Sequence, residues 1–91
     1  MAGDMLVMSK SQMEQLGATF ARQGQEVQDV IRAIQAALDG TTWQGGRADR
    51  FRQLWETEFR PNLATLVEAL GEHAGFIGRE LQAGVSALDT V

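Results

Sequence analysis

Apolar residues along the first half of the chain keep helical time. Met13, Phe20, Val27 and Ile34 recur every seven residues, and Leu16 and Val30 lie in a companion row completed by Gln23 and Ala37. Ile31 and Leu38 widen the stripe, which predicts a helix that touches more than one neighbour. Arg22, Gln25, Glu26, Asp29 and Arg32 occupy much of the other side. Ser9 followed by Gln12, and Ser11 followed by Glu14, both fit a capping box, and Met8 and Met13 have staple spacing across a Ser9 cap. The spacing predicts helix 1 over 9–39, after a flexible segment 1–8 that is disordered before Met5. Gly40 suits the C′ position that ends it.

A loop over 40–46 follows, and helix 2 is predicted over 47–88. Its apolar residues are Phe51, Leu54, Trp55, Phe59, Leu63, Leu66, Val67, Leu70, Ala74, Ile77, Leu81 and Leu88. Leu63, Leu70 and Ile77 form one seven-residue row, and Val67, Ala74, Leu81 and Leu88 another. The alternation of every second residue that marks a strand is absent. Pro61 removes a hydrogen bond and crowds the carbonyl four residues back. Because the apolar period continues across it, a kink is expected, with a joint at Arg60 as the alternative. Gly71, Gly75 and Gly78 share one helix face, which points to close approach of a neighbouring helix, with a weak helix beyond Gly84.

Two helices of about 30 and 40 residues span roughly 45 and 60 Å. A short loop makes them antiparallel neighbours, and two stripes this wide cannot cover each other. The pattern therefore predicts an all-α fold: an antiparallel two-helix hairpin that dimerises into a four-helix bundle. Met13, Leu16, Phe20, Val27, Ile31, Ile34, Leu38, Trp55, Phe59, Leu63, Leu66, Leu70, Ile77 and Leu81 are its candidate core and dimer-packing residues.

Composition narrows the function. At 91 residues the chain is a single small domain, of the size that needs a disulfide, a metal or a partner to stabilise it. It has no cysteine and one histidine, so a partner is the remaining helper. Net charge −4 argues against a nucleic-acid partner, and Asp49 and Glu56 dilute the basic cluster Arg47, Arg50 and Arg52, which reads as a solvated face. The same charge opposes binding to anionic lipid, so membrane contact is not expected. No apolar run approaches a membrane span, and the N-terminus lacks the basic and apolar regions of a secretory signal.

Candidate chemistry is sparse. There is no phosphate loop, no zinc-protease motif and no thiol nucleophile. His73 reads as a packed or edge residue, and Glu56 with Glu58 or Glu68 with Glu72 as solvated helix faces. Neither an enzyme nor a cofactor is expected. The informative segment is Trp43-Gln44-Gly45. A tryptophan in a short interhelical loop can cap a bundle end while its N–H reaches a partner or water. Glycine two residues on permits a left-handed backbone or close approach.

Alone, the tripeptide is a weak signal. Placed mid-chain between two amphipathic helices, with Phe51 and Trp55 just after it and no cysteine, it resembles the WXG family of early secreted antigenic target (ESAT)-like proteins. The resemblance runs from Met13 to Leu88, with Trp43 and Gly45 at the signature positions. It implies helical hairpins that pair into four-helix bundles, as homodimers or heterodimers with another family member. It implies export through the type VII (ESX or Ess) secretion system, from cytoplasm to outside the cell, with pairs recognised by an FtsK/SpoIIIE-type ATPase. Exported pairs carry a Tyr-x-x-x-Asp/Glu signal on at least one member, and this chain has no tyrosine. Phe76-x-x-x-Glu80 keeps the spacing, either as a degenerate signal or as core packing. With little tail before Val91, the resemblance implies the signal-free member of a heterodimer. A cytosolic helical adaptor or chaperone is the alternative.

Overall fold

A computed structural model describes the backbone of residues 8–89 and the side chains as far as Gly84. The expected flexible segment up to residue 7, the packing of Leu88 and the expected weakness beyond Gly84 lie outside the described residues. Among the described residues all regular structure is helical.

Helix α1 runs Lys10–Asp39. Ser9 is its N-cap, with extended backbone and a hydroxyl that accepts from the Gln12 N–H at 3.4 Å. The other end differs from expectation. Gly40 has φ −88° and ψ −2°, so it is not a left-handed C′ glycine. Its N–H instead donates to the Ala36 carbonyl at 3.0 Å, and the Thr41 hydroxyl donates to the Ala37 carbonyl at 2.5 Å. These bonds satisfy terminal carbonyls that would otherwise lack partners.

The second limb is one continuous helical rod in three parts: α2 Gly46–Leu54, a π turn Trp55–Phe59, and α3 Arg60–Asp89. Arg60 keeps helical dihedrals of −62° and −46°, so the chain has no joint there. The disturbance lies upstream of Pro61 and takes the form of a widened turn, in which the Arg60 N–H donates to the Trp55 carbonyl five residues back. Proline's missing N–H and its ring are accommodated where the ladder is already loosened. The Thr57 hydroxyl donates to the Gln53 carbonyl at 2.8 Å in the same stretch.

A π turn inserts one residue, so every side chain upstream of it advances one position around the rod. Ala48 and Trp55 thereby join the row of Leu63, Leu70 and Ile77. Among the described residues Ala48, Trp55 and Ile77 are the buried apolar ones, at 0%, 4% and 8% exposure. The eight-residue step from Trp55 to Leu63, between seven-residue steps on either side, is the trace of the bulge in the sequence.

Opposite this row, α1 presents Gly17, Gly24, Ile31 and Leu38. A Cβ on Gly17 would lie 3.3 Å from Ile77 Cγ2, and one on Gly24 would lie 3.7 Å from Leu70 Cβ. The helices approach over these two glycines. The close approach expected at Gly71, Gly75 and Gly78 is not made within the hairpin. A Cβ on Gly71 or Gly78 would meet nothing within 4 Å, and one on Gly75 would meet only the Arg79 guanidinium.

The molecule measures 68 × 23 × 15 Å with a radius of gyration of 20.2 Å. A compact domain of this length would have a radius of about 12 Å. Its accessible surface is 7002 Å², about a third more than the roughly 5,200 Å² of a folded monomer of this mass.

Candidate interaction surface

One long face of the hairpin is apolar and uncovered. The row Phe59, Leu66 and His73 flanks the α3 seam, and Phe51 joins it once the π turn's one-residue shift is counted. The row Met13, Phe20, Val27 and Ile34 flanks the α1 seam, with Leu16 and Val30 further round. Phe20 and His73 stack with centroids 5.4 Å apart and planes at 16°. That contact puts the two flanks on the same side of the molecule. Leu16, Val30, Ile34, Phe51, Phe59 and Leu66 are all exposed there.

Met13, Phe20, Val27, Ile31, Leu38, Leu63, Leu70 and Leu81 are half-buried, and Trp55 and Ile77 are buried. The candidate packing residues therefore split into an internal seam and an exposed face. Single exposed apolar residues are ordinary, but an aligned row of large ones on a protein with so small a core makes this face a candidate contact surface.

His73 is held as an edge residue. Its Nδ1–H donates to the Ala69 carbonyl at 2.7 Å, and its ring lies on Phe20. Phe76 is 56% exposed, so it is not core packing within the hairpin; its neighbour Ile77 fills the seam instead. Glu80 is exposed.

The second feature is the loop end. Gly45 has φ 117° and ψ 174°, the single positive φ among the described residues. Only glycine occupies that region without strain. A Cβ there would meet no atom within 4 Å, so backbone geometry, not crowding, requires the signature glycine. Trp43 is 42% exposed, and its ring tilts against Phe51 at 5.7 Å between centroids. Phe51 belongs to both features and joins the loop end to the apolar face.

Two polar bridges fasten this end. The Trp55 indole N–H donates to Gln35 Oε1 at 2.8 Å and ties the rod to α1. The Arg52 guanidinium donates to the Trp43 carbonyl at 2.8 Å and the Thr41 carbonyl at 3.1 Å. Arg52 is thus a loop clamp, not the solvated residue its basic neighbours imply. Periodicity does not reveal such a role, because the contact spans nine to eleven residues across a turn. Gly17 and Gly24 were legible in principle, as members of the seven-residue row with Ile31 and Leu38.

Among the described residues no cluster of His, Cys, Asp or Glu could hold a metal, and no helix is long and apolar enough to cross a membrane. The chain is a helical hairpin with an open apolar face and a turn built on Gly45. More particularly, the chain belongs to the family of proteins of 100 residues with WXG (WXG100), whose model matches residues 6–89. That family is associated with type VII secretion substrates, and its members typically pair with one another. No curated protein and no solved structure gives a match.

Proposed function

We propose that this chain is a substrate or co-substrate of the type VII secretion system, acting as a binding partner in a dimer of hairpins. The observation that carries the reading is the uncovered apolar face running from Leu16 through Val30, Ile34 and Leu66 to Phe51. A second hairpin laid on that face closes a four-helix bundle and removes the surface that the lone hairpin leaves in water. A heterodimer with another family member is favoured, because this chain has no tyrosine for a Tyr-x-x-x-Asp/Glu signal. The partner then supplies the signal, and the FtsK/SpoIIIE-type ATPase reads the pair. Trp43, exposed at the loop end, belongs to the recognition surface beside the partner's termini. In this reading the chain assembles in the cytoplasm and ends outside the cell.

The test is an immunoblot of culture fluid and cell lysate with a cytosolic marker as control, in strains with and without the secretion ATPase. ATPase-dependent appearance in the fluid is expected. Retention in the lysate in both strains would favour the cytosolic adaptor.

A further inference from the structure

We infer that Arg52 is a positioning residue for the signature turn, holding the Trp43–Phe51 aromatic pair in the orientation in which a partner meets it. The inference rests on the reading above only in its last clause; the clamp itself stands on geometry.

The Gly40 N–H and the Thr41 hydroxyl hold the last turn of α1, but residues 42–44 have little besides Arg52 to fix them. Helix α1 ends without a basic residue in its last turn and without a left-handed glycine cap. Helix α2 starts at Gly46, and its N-cap, Gly45, makes no side-chain cap. Trp43 lies between these two ends, and its carbonyl accepts from Arg52. A guanidinium is a rigid planar fork, and here its two terminal nitrogens reach two carbonyls, those of Trp43 and Thr41, at 2.8 and 3.1 Å. Its charge also lies beside the C-terminal end of α1, where a cation is favoured by the helix dipole. One side chain therefore holds the chain leaving α1 at Thr41 and pins the backbone of the residue whose ring is exposed.

Arg52 is itself placed by the rod. It lies one residue after Phe51 and three before Trp55, and Trp55 is buried and bonded to Gln35. The buried Trp55 fixes the rotation of α2, the rod aims Arg52 at the loop, and Arg52 fixes Trp43 over Phe51. Lysine cannot replace this arrangement, because an ammonium is a point donor without the fork.

The test compares Arg52→Gln and Arg52→Lys with the unaltered chain, in the assembled form in which it is stable. With only this chain nitrogen-15-labelled, its two tryptophans give two indole N–H signals in a proton–nitrogen NMR spectrum, and Trp55 serves as an internal control. Arg52→Gln should abolish the nuclear Overhauser effects between the Trp43 indole and the Phe51 ring and loosen residues 41–45. The Trp55 signal and the helix amides should stay where they are. Arg52→Lys retains the charge but has a single donor nitrogen in place of the two that reach Trp43 and Thr41, so it should fold as the parent does and show weakened Trp43–Phe51 effects. If Arg52→Gln unfolds, the Arg52→Lys spectrum decides alone. Persistence of full Trp43–Phe51 proximity in the folded variants would overturn the clamp. Export measured on the same variants addresses the final clause. Export should fall as the two rings separate. Unchanged export from a variant whose rings have separated would leave the clamp standing and overturn the reading of the turn as a recognition surface.

Discussion

At the residue scale, the two signature positions do different physical work. Gly45 is required by its backbone, so Gly45→Val should cost about 1 to 3 kcal/mol, the usual range for a side chain forced into a sparsely populated region. Because nothing crowds a Cβ there, Gly45→Ala should suffer from the same strain without further destabilisation. Urea unfolding of both variants measures this, and a valine variant as stable as the parent would contradict the assignment. Trp43 contributes a half-exposed ring and one tilted aromatic contact. Trp43→Ala should cost on the order of 1 kcal/mol, the scale of an aromatic pair, and should leave assembly intact while export falls. Titration calorimetry against the partner, run beside the export assay, separates the two effects. Loss of both in parallel would make the ring a structural element only. The signature was legible as a motif, but its division into a strained turn and a presented ring needed the φ of Gly45 and the Trp43–Phe51 contact.

At the scale of the elements, glycines in the two helices are opposed in role. Gly17 and Gly24 lie under α3, where a Cβ on Gly17 would press on Ile77 at 3.3 Å. Gly17→Leu and Gly24→Leu should therefore overpack the seam and destabilise the hairpin by about 1 to 3 kcal/mol. Gly71 and Gly78 face open space. Gly71→Ala and Gly78→Ala should each stabilise α3 by up to about 1 kcal/mol, the helix-propensity difference between the two residues. Thermal melts of the four variants should fall into these two groups. A destabilised Gly71→Ala would mean that a partner helix approaches on that face after all. The sequence points to a close approach on α3 because three glycines cluster there. The face of a helix that meets its neighbour is set by the row containing the most buried side chains, and for α3 that row is Leu63, Leu70 and Ile77.

At the scale of the whole molecule, the hairpin leaves a face that water does not favour. Ile34→Asp and Leu66→Asp place a charge on that face without touching the internal seam, so the helices should still form in complex-free protein to the parent's extent. Assembly should be lost, because a buried unpaired charge costs about 3 to 5 kcal/mol. Leu70→Asp belongs to a different class, since Leu70 is half-buried against α1 near Gly24 and its replacement should unfold the hairpin itself. Analytical ultracentrifugation with circular dichroism distinguishes these outcomes. A parent chain that sediments as a stable monomer at micromolar concentration, and melts cooperatively, would refute assembly through this face.

Sequence by itself determined the two long limbs, the loop between them and the family signature, because seven-residue periodicity, capping residues and a tryptophan in a turn are local signals. It also determined that the stripes were too wide for one seam. Tertiary structure decided which part of each stripe faces inward. A one-residue π turn ahead of Pro61 shifts Phe51 and Trp55 around the rod, and that shift depends on how a distorted ladder packs against α1, not on residue order alone. It also decided that Arg52 reaches back across the turn to two carbonyls, a contact between segments that no periodic pattern encodes.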